Sequence, residues 1–142
     1  DGMFCAVPQD EYLENSNTEK ITILQIESPE GLEQVEKIAA VPGFDGFLFG
    51  PGDFSHRIGK AGQVTAPEVN AARKRVAKAA RANGKFAMTS GIFLPMEELA
   101  AEGVNVFNTG SDVGALREFF DSKLSSVKGT ASKISKAATP YD

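Results

Sequence analysis

The sequence predicts an α/β fold made of four strand–helix units in a row. Two observations predict it: short β-branched or aromatic runs alternate with apolar residues at helical spacing, and turn residues separate each run from the next. Such alternation implies parallel strands joined by right-handed crossovers. Short strands and turns favour either an open α/β sheet or part of an eight-fold (β/α)8 TIM barrel. A complete barrel needs about 250 residues, so four units in 142 residues are half of one.

The first unit contains the clearest strand pattern. Residues 21–26 read Ile-Thr-Ile-Leu-Gln-Ile, which predicts a buried strand, and residues 12–17 predict a short helix before it. Ser28 and Pro29 follow as an N-cap and first-turn pair. Apolar residues then recur at helical spacing up to about Ala40, where a Val-Pro-Gly sequence stops the helix.

The second unit follows directly. Residues 46–49 predict a short buried strand, and a glycine-rich loop is expected over residues 50–64. Residues 65–68 have the pattern of a capping box with proline at the first helical position. The next helix is expected to end at Asn83 and Gly84, because glycine takes the left-handed cap conformation readily. Its predicted inward face consists of Val69, Ala72, Val76, Ala79 and Ala80.

The last two units are shorter. Residues 85–88 predict a third strand, residues 95–102 a helix that ends at Gly103, and residues 104–108 a fourth strand. A final helix is expected over residues 113–126. Its predicted inward side chains are Leu116, Phe119, Phe120 and Leu124.

Composition excludes some classes of function. Residues 1–128 are expected to form one domain, and residues 129–142 a small, polar and flexible tail. The net charge of -4 gives no electrostatic support to a nucleic-acid partner, because such proteins usually carry a basic face. No apolar run approaches the roughly 18 residues that span a membrane. The single cysteine, Cys5, cannot form an internal disulfide, which favours a cytoplasmic location.

Two carboxylates define the candidate site. Glu27 ends the first strong strand and Asp53 follows the next one, and the carboxyl ends of parallel strands open on the same face. Because adjacent strands lie about 4.8 Å apart, the two side chains can share one small cation. Magnesium suits such a pair, since it takes one or two carboxylates and completes its shell with water and substrate oxygens. Manganese or cobalt can substitute.

The neighbours of the two carboxylates fit an anion as well as a cation. Gly50 and Gly52 carry no side chain, so backbone N–H groups can approach a bound anion, and Pro51 stiffens the turn. Strand alternation puts Gln25 on the same face as Glu27. Each carboxylate taken alone also has an ordinary explanation, as an exposed strand-end residue or a turn residue. Spacing alone leaves both explanations open.

One ordered stretch resembles a known enzyme family. It consists of residues 25–27, Gln-Ile-Glu, and of residues 41–55, which read Val-Pro-Gly-Phe-Asp-Gly-Phe-Leu-Phe-Gly-Pro-Gly-Asp-Phe-Ser. In this order and spacing it resembles the HpcH/HpaI aldolase/citrate lyase family, and the resemblance extends from about Tyr12 to about Leu124. It implies a (β/α)8 TIM barrel of the pyruvate-kinase-like type. Residues 1–128 would be its C-terminal half, with about the last four β/α units.

The resemblance also implies roles for residues. Glu27 and Asp53 match the family's metal ligands, and Gln25 matches a polar position of its strand motif, so these three are the predicted catalytic residues. Pro51, Gly52 and Asp53 are the predicted substrate-binding residues, since this turn matches the one whose amides hold the carboxylate of a pyruvate unit. The implied enzyme is a metal-dependent (class II) aldolase or lyase. It cleaves or forms a C–C bond next to a pyruvate-type 2-oxo acid, through a metal-stabilised enolate and with an aldehyde as partner.

Departures from the family pattern keep alternatives open. The family's arginine and histidine belong to the first half of its barrel, and His56 matches neither, so we expect it to be an ordinary loop residue. The third strand ends in Met88-Thr89-Ser90 and the fourth in Asn108-Thr109-Gly110, where the commoner family pattern is more glycine-rich and apolar. The alternatives are a non-catalytic half-barrel that binds a metal, an oxo-acid or a partner chain, and an oxaloacetate-decarboxylating enzyme similar to macrophomate synthase. Unpaired strand edges favour association. The resemblance implies a homo-oligomer, and its barrel would also need an N-terminal half.

Overall fold

Four parallel strands form a single sheet in the part of the chain that a computed structural model describes, residues 6–137, with side chains described up to residue 130. The strands are β1 Ile23–Ile26, β2 Gly46–Phe49, β3 Phe86–Ser90 and β4 Val106–Asn108. The helices are α1 Gln9–Glu19, α2 Pro29–Glu33, α3 Val35–Ala39, α4 Pro51–Arg57, α5 Pro67–Ala82, α6 Met96–Ala101 and α7 Asp112–Ala137. Cys5 lies outside the described residues.

The order of the strands decides between the two predicted architectures. The sheet runs β1-β2-β3-β4, and all three neighbouring pairs are parallel. Right-handed crossovers that all step in one direction place their helices on one face of the sheet. A doubly wound sheet would reverse direction at a switch point and carry helices on both faces. The four predicted units are therefore confirmed, and their arrangement is the one found in a barrel.

The two faces of the sheet have different surroundings. We call the side packed against helices the covered face and the other side the open face. Five covered-face residues are each at most 4% exposed, namely Ile26, Phe47, Phe49, Ala87 and Thr89, whereas Leu24 on the edge strand is 36% exposed. Residues on the open face alternate with them along the strands, namely Ile23, Gln25, Leu48, Met88, Ser90, Val106 and Asn108. None of these open-face residues is fully buried, and Ile23 is 42% exposed.

Helix α5 supplies most of the packing on the covered face. All five residues of its predicted inward face are buried. Arg73 on the same helix is also buried, and its guanidinium donates to both carboxylate oxygens of Glu102 at 2.9 and 3.1 Å. Because Glu102 directly follows α6, this ion pair joins the two helices. Gly84 takes the left-handed conformation, with φ of 69°, just after the end of α5, as predicted.

Some local predictions were wrong. The strand predicted as buried, β1, exposes its first three residues, because it is the edge strand of the described sheet. Helix α5 has no capping box: Ala66 is the N-cap, without a side-chain hydrogen bond, and Glu68 pairs with Lys60 instead. The helix predicted after Ser28 is interrupted at Gln34, although the Ser28 hydroxyl caps it by accepting from Gly31 N at 3.1 Å.

The last helix forms a compact unit of its own, which begins at Thr109. It continues to Ala137, beyond the predicted end. The side chains predicted to point inward are all more than half exposed, because the described part of this unit contains no second element for them to pack against: Leu116, Phe119, Phe120 and Leu124. The flexibility of the tail stays a prediction, and its final residues, 138–142, lie outside the described range.

Candidate metal centre

Glu27 lies at the carboxyl end of the sheet, packed against Gly50. Ile26 pairs with Phe49 in the register of β1 and β2, and the Gly50 N–H donates to Ile26 O at 3.0 Å. A Cβ atom added to Gly50 would lie 3.2 Å from Glu27 Cβ and 3.4 Å from Glu27 Oε2. The absence of a side chain at this position therefore leaves room for the carboxylate.

Gln25 orients that carboxylate. Its Nε2 donates a hydrogen bond to Glu27 Oε2, and both side chains belong to the open face of β1, as strand alternation predicts. The same Nε2 atom lies 3.0 Å from the position of a Gly50 Cβ, so Gly50 makes room for both partners. The bond engages Oε2 of the carboxylate. Gln25 is thus a positioning residue for Glu27.

Asp53 lies in a helix, whereas the sequence predicted a loop. Helix α4 begins at Pro51, and its first helical hydrogen bond runs from Phe54 N to Gly50 O at 3.1 Å. Pro51 at the first helical position was the signal for this helix, and the adjoining glycines obscured it. Asp53 is exposed in the first turn. The N–H groups of Gly52 and Asp53 precede the first helical bond, so they have no partner within the helix.

Buried side chains hold the first turn of α4 in place. Pro51, Phe54 and Ser55 are buried, and the rings of Phe49 and Phe54 lie 5.4 Å apart. The Ser55 hydroxyl donates to Gly52 O at 2.7 Å. These contacts fix the backbone while leaving its outer side open, where a Cβ on Gly52 would meet none of the described atoms within 4 Å. The role of Ser55 was not predicted from the sequence, because it depends on a helix that the sequence did not predict at this position.

The available donors are hard oxygen ligands. Within the described residues, no group of three or more histidine, cysteine, aspartate or glutamate side chains could hold a metal ion. A cation at Glu27 and Asp53 would therefore take its other ligands from substrate and water, which fits magnesium or manganese better than zinc. His56 and Arg57 lie in the last turn of α4 and are exposed, so the histidine is helical rather than part of a loop.

None of the helices in the described range is long and apolar enough to cross a membrane.

Comparisons with known proteins agree with the fold and the motif. The profile of the HpcH/HpaI aldolase/citrate lyase family matches residues 3–118. The 5-keto-4-deoxy-D-glucarate aldolase of Enterobacter sp. (strain 638) is 37% identical over 119 residues, which are 81% of this chain and 44% of that protein. An HpcH/HpaI aldolase/citrate lyase family protein from Burkholderia cenocepacia aligns over 83% of this chain and 46% of its own, with TM-score 0.75 and 29% identity. Macrophomate synthase aligns over 91% and 46%, with the same TM-score and identity. The chain spans less than half the length of each.

Proposed function

Because this chain belongs to the HpcH/HpaI aldolase/citrate lyase family, a family of divalent-metal-dependent aldolases, we propose that it carries the metal-binding half of a class II aldolase site. The reaction is cleavage or formation of a C–C bond next to a pyruvate-type 2-oxo acid. One observation carries the proposal: the Glu27 carboxylate is oriented by Gln25 and fitted against Gly50, at the same end of the sheet as the anchored turn that presents Asp53.

Each residue of the site has a distinct task in this proposal. Oε1 of Glu27 and the Asp53 carboxylate hold the cation, while Gln25 keeps Oε2 occupied. The N–H groups of Gly52 and Asp53, held by the buried Pro51 and the turn beneath it, bind the carboxylate of the 2-oxo acid. A divalent ion bound here supplies Lewis-acid stabilisation of the negative charge that develops on the 2-oxo oxygen.

Several finer features belong to the proposal. Magnesium is the expected ion, with manganese or cobalt as substitutes, because all donors are oxygens. The second substrate is an aldehyde.

A further half-barrel supplies the arginine and the general base, and the open face, with Ile23 42% exposed, supports its docking there. The edges of the described sheet, β1 and β4, support pairing with the strands of that half-barrel. A homo-oligomer of such barrels stays a prediction. The cytoplasmic location stays a prediction from cysteine usage.

Two alternatives remain, each with an observation in its favour. A non-catalytic half-barrel that binds a metal, an oxo-acid or a partner chain is favoured by the donor set, since the described residues contain no group of three or more side chains that could hold a metal ion. An oxaloacetate-decarboxylating enzyme is favoured by the similarity to macrophomate synthase. Both alternatives use Glu27 and Asp53 in the same way, and they differ from the aldolase in what happens at the carbon next to the 2-oxo group.

The test measures deuterium exchange at C3 of pyruvate by proton NMR, on the protein expressed from its full reading frame. We expect exchange that chelator abolishes and magnesium restores. Glu27→Gln and Asp53→Asn should each lower the rate at least about 100-fold, because each removes one of two protein ligands. Glu33→Gln, an exposed glutamate in the same unit, is the matched control and should retain the wild-type rate.

The outcomes separate the candidates. Chelator-insensitive exchange, or full activity of Glu27→Gln, overturns the proposed site. Manganese binding detected by electron paramagnetic resonance without any exchange establishes the non-catalytic alternative. Release of carbon dioxide from oxaloacetate, with no addition of pyruvate to any aldehyde, establishes the decarboxylase.

A further inference from the structure

One hydroxyl interrupts the apolar lining of the covered face. Of the five covered-face residues that are at most 4% exposed, four are apolar and the fifth is Thr89 on β3. Valine has nearly the same shape and favours strands as strongly, so it would serve packing at this position. A buried hydroxyl is costly without a hydrogen bond, and that of Thr89 donates to Phe49 O at 3.1 Å. The reason for the hydroxyl therefore lies in the carbonyl group that it contacts.

The peptide group that joins Phe49 to Gly50 is held from both sides. Its carbonyl oxygen, Phe49 O, accepts from Thr89 on β3. Its N–H, on Gly50, donates to Ile26 O on β1 at 3.0 Å. One peptide plane therefore links β2 to both of its neighbours. Because Ile26 directly precedes Glu27, the link lies beside the candidate metal ligand.

The backbone ladder between β2 and β3 ends just before this peptide. Its last register pair is Leu48 with Met88. The ladder cannot continue through Pro51, because proline has no N–H group to donate. The Thr89 hydroxyl thus supplies a hydrogen bond from β3 at the point where the chain leaves the sheet to form α4.

The chain that follows this peptide carries the candidate metal centre. Gly50 lies against the Glu27 carboxylate, and its carbonyl oxygen accepts the first helical hydrogen bond of α4, from Phe54 N at 3.1 Å. A rotation of the Phe49–Gly50 peptide would move the backbone beside Glu27 together with the turn that presents Asp53. The orientation of this one peptide therefore affects both candidate ligands.

We propose that Thr89 is a positioning residue for the metal centre: its hydroxyl fixes the Phe49–Gly50 peptide, and this peptide sets the placement of Asp53 relative to Glu27. The inference rests on the proposed aldolase function. Thr89 itself touches neither the cation nor the 2-oxo acid, because it is buried on the covered face. It acts through the backbone, so loss of the hydroxyl should weaken metal binding even where the fold is intact.

The test measures the affinity for manganese by electron paramagnetic resonance. The protein is expressed from its full reading frame, and the temperature is one at which circular dichroism shows every variant to be folded. Thr89→Val keeps the shape of the side chain and removes the hydroxyl. The dissociation constant for manganese should then rise about tenfold, as it does when a group that orients a metal ligand is lost. Thr89→Ser keeps the hydroxyl and should bind manganese as the wild type does.

Two controls separate the loss of this hydroxyl from other effects. In Thr18→Val the lost hydroxyl also donates to a backbone carbonyl, Glu14 O at 2.9 Å, but on α1. Val76→Ala truncates a 2% exposed side chain on α5, so it destabilises the fold without removing a hydrogen bond to the turn. Both variants should keep the wild-type affinity for manganese.

A second readout needs no metal. Hydrogen exchange followed by mass spectrometry should show the amides of residues 50–57 exchanging about tenfold faster in Thr89→Val, the change expected when one hydrogen bond is lost locally. The amides of α5 should exchange at the wild-type rate, because the lost bond does not involve that helix.

The outcomes separate this inference from the proposed function. Wild-type affinity for manganese in Thr89→Val overturns the positioning role and leaves the metal centre standing. An equal loss of affinity in Val76→Ala also overturns it, because the loss would then follow stability rather than the hydroxyl. If the wild-type protein binds no manganese, the proposed metal centre fails and the positioning role fails with it.

Discussion

The two faces of the sheet differ in what packs against them. On the covered face, alternate residues such as Phe47 and Thr89 are at most 1% exposed, because helices of the same chain pack on them. On the open face, Ile23 is 42% exposed and the carboxyl end is polar. The same strands supply both faces. Along each strand, we therefore expect alternate residues to contribute to stability and the residues between them to contribute to the candidate site. With the exception of Thr89, substitutions on the two faces should therefore change different measured quantities.

The largest expected effect is on the covered face. Phe47→Ala removes a fully buried ring that lies 5.1 Å from the ring of Phe44, and it leaves a cavity between β2 and its helices. We expect the free energy of unfolding to fall by about 3–5 kcal/mol. Urea denaturation followed by circular dichroism measures this. Phe93→Ala, at a 43% exposed position, is the control and should cost less than about 0.5 kcal/mol. Equal losses in the two variants would contradict the claim that burial on the covered face sets the cost.

The next effect concerns the ion pair that joins α5 to the end of α6. Arg73→Met leaves Glu102, whose side chain is 9% exposed, with Lys74 at 3.4 Å as its remaining ion-pair partner among the described residues, so we expect a loss of about 3 kcal/mol. The loss of unfolding free energy comes from the buried charge that has lost its partner. The double variant Arg73→Met with Glu102→Leu should therefore regain most of that free energy. A double-mutant cycle in urea measures the coupling. Additive losses would mean that the pair does not act as a unit.

Gly50 directly follows β2 and lies against Gln25 and Glu27 at the carboxyl end of the open face. Gly50→Ala would place a Cβ 3.0 Å from Gln25 Nε2 and 3.2 Å from Glu27 Cβ, which displaces the Glu27 carboxylate. We expect manganese affinity to fall about tenfold or more, with only a small change in unfolding free energy. Titration followed by electron paramagnetic resonance measures the affinity.

The matched control for that variant lies two residues further along. In Gly52→Ala the added Cβ meets none of the described atoms within 4 Å, so manganese should bind as in the wild type. Equal affinities of the two alanine variants would show that Gly50 does not shape the site.

Elements with a strong local pattern were predicted well, and features that depend on the assembled sheet were not. The strand Gly46–Phe49 and the buried face of Pro67–Ala82 follow from apolar periodicity within the segment itself. The exposure of β1 depends on its position at the edge, which no local pattern encodes. The contact of Glu27 with Gly50 depends on the register between two strands. Apolar spacing in α7 identified its apolar side chains correctly but not their exposure, because spacing does not specify what packs against them.

The smallest expected effect concerns an exposed counterpart of the buried ion pair on the same helix. Arg75 donates to both carboxylate oxygens of Glu36 at 2.8 Å, and these hydrogen bonds lower the pKa of Glu36 to about 2. The side chains are 44% and 56% exposed, so water screens the pair and it should contribute less than about 1 kcal/mol.

The pH dependence of this contribution has a definite sign. The folded pKa lies below the ordinary glutamate value of 4.5, so the stabilisation is fully present above pH 4.5 and is lost as the pH falls toward 2. The difference in unfolding free energy between the wild type and Glu36→Gln should therefore be larger at pH 7 than at pH 3. Glu14→Gln, at an exposed position on α1, should show no such difference at either pH. A Glu36→Gln difference that stays constant between the two pH values would mean that the pair does not persist in solution. Arg73 and Glu102 would then be the ion pair on α5 that owes its persistence to burial.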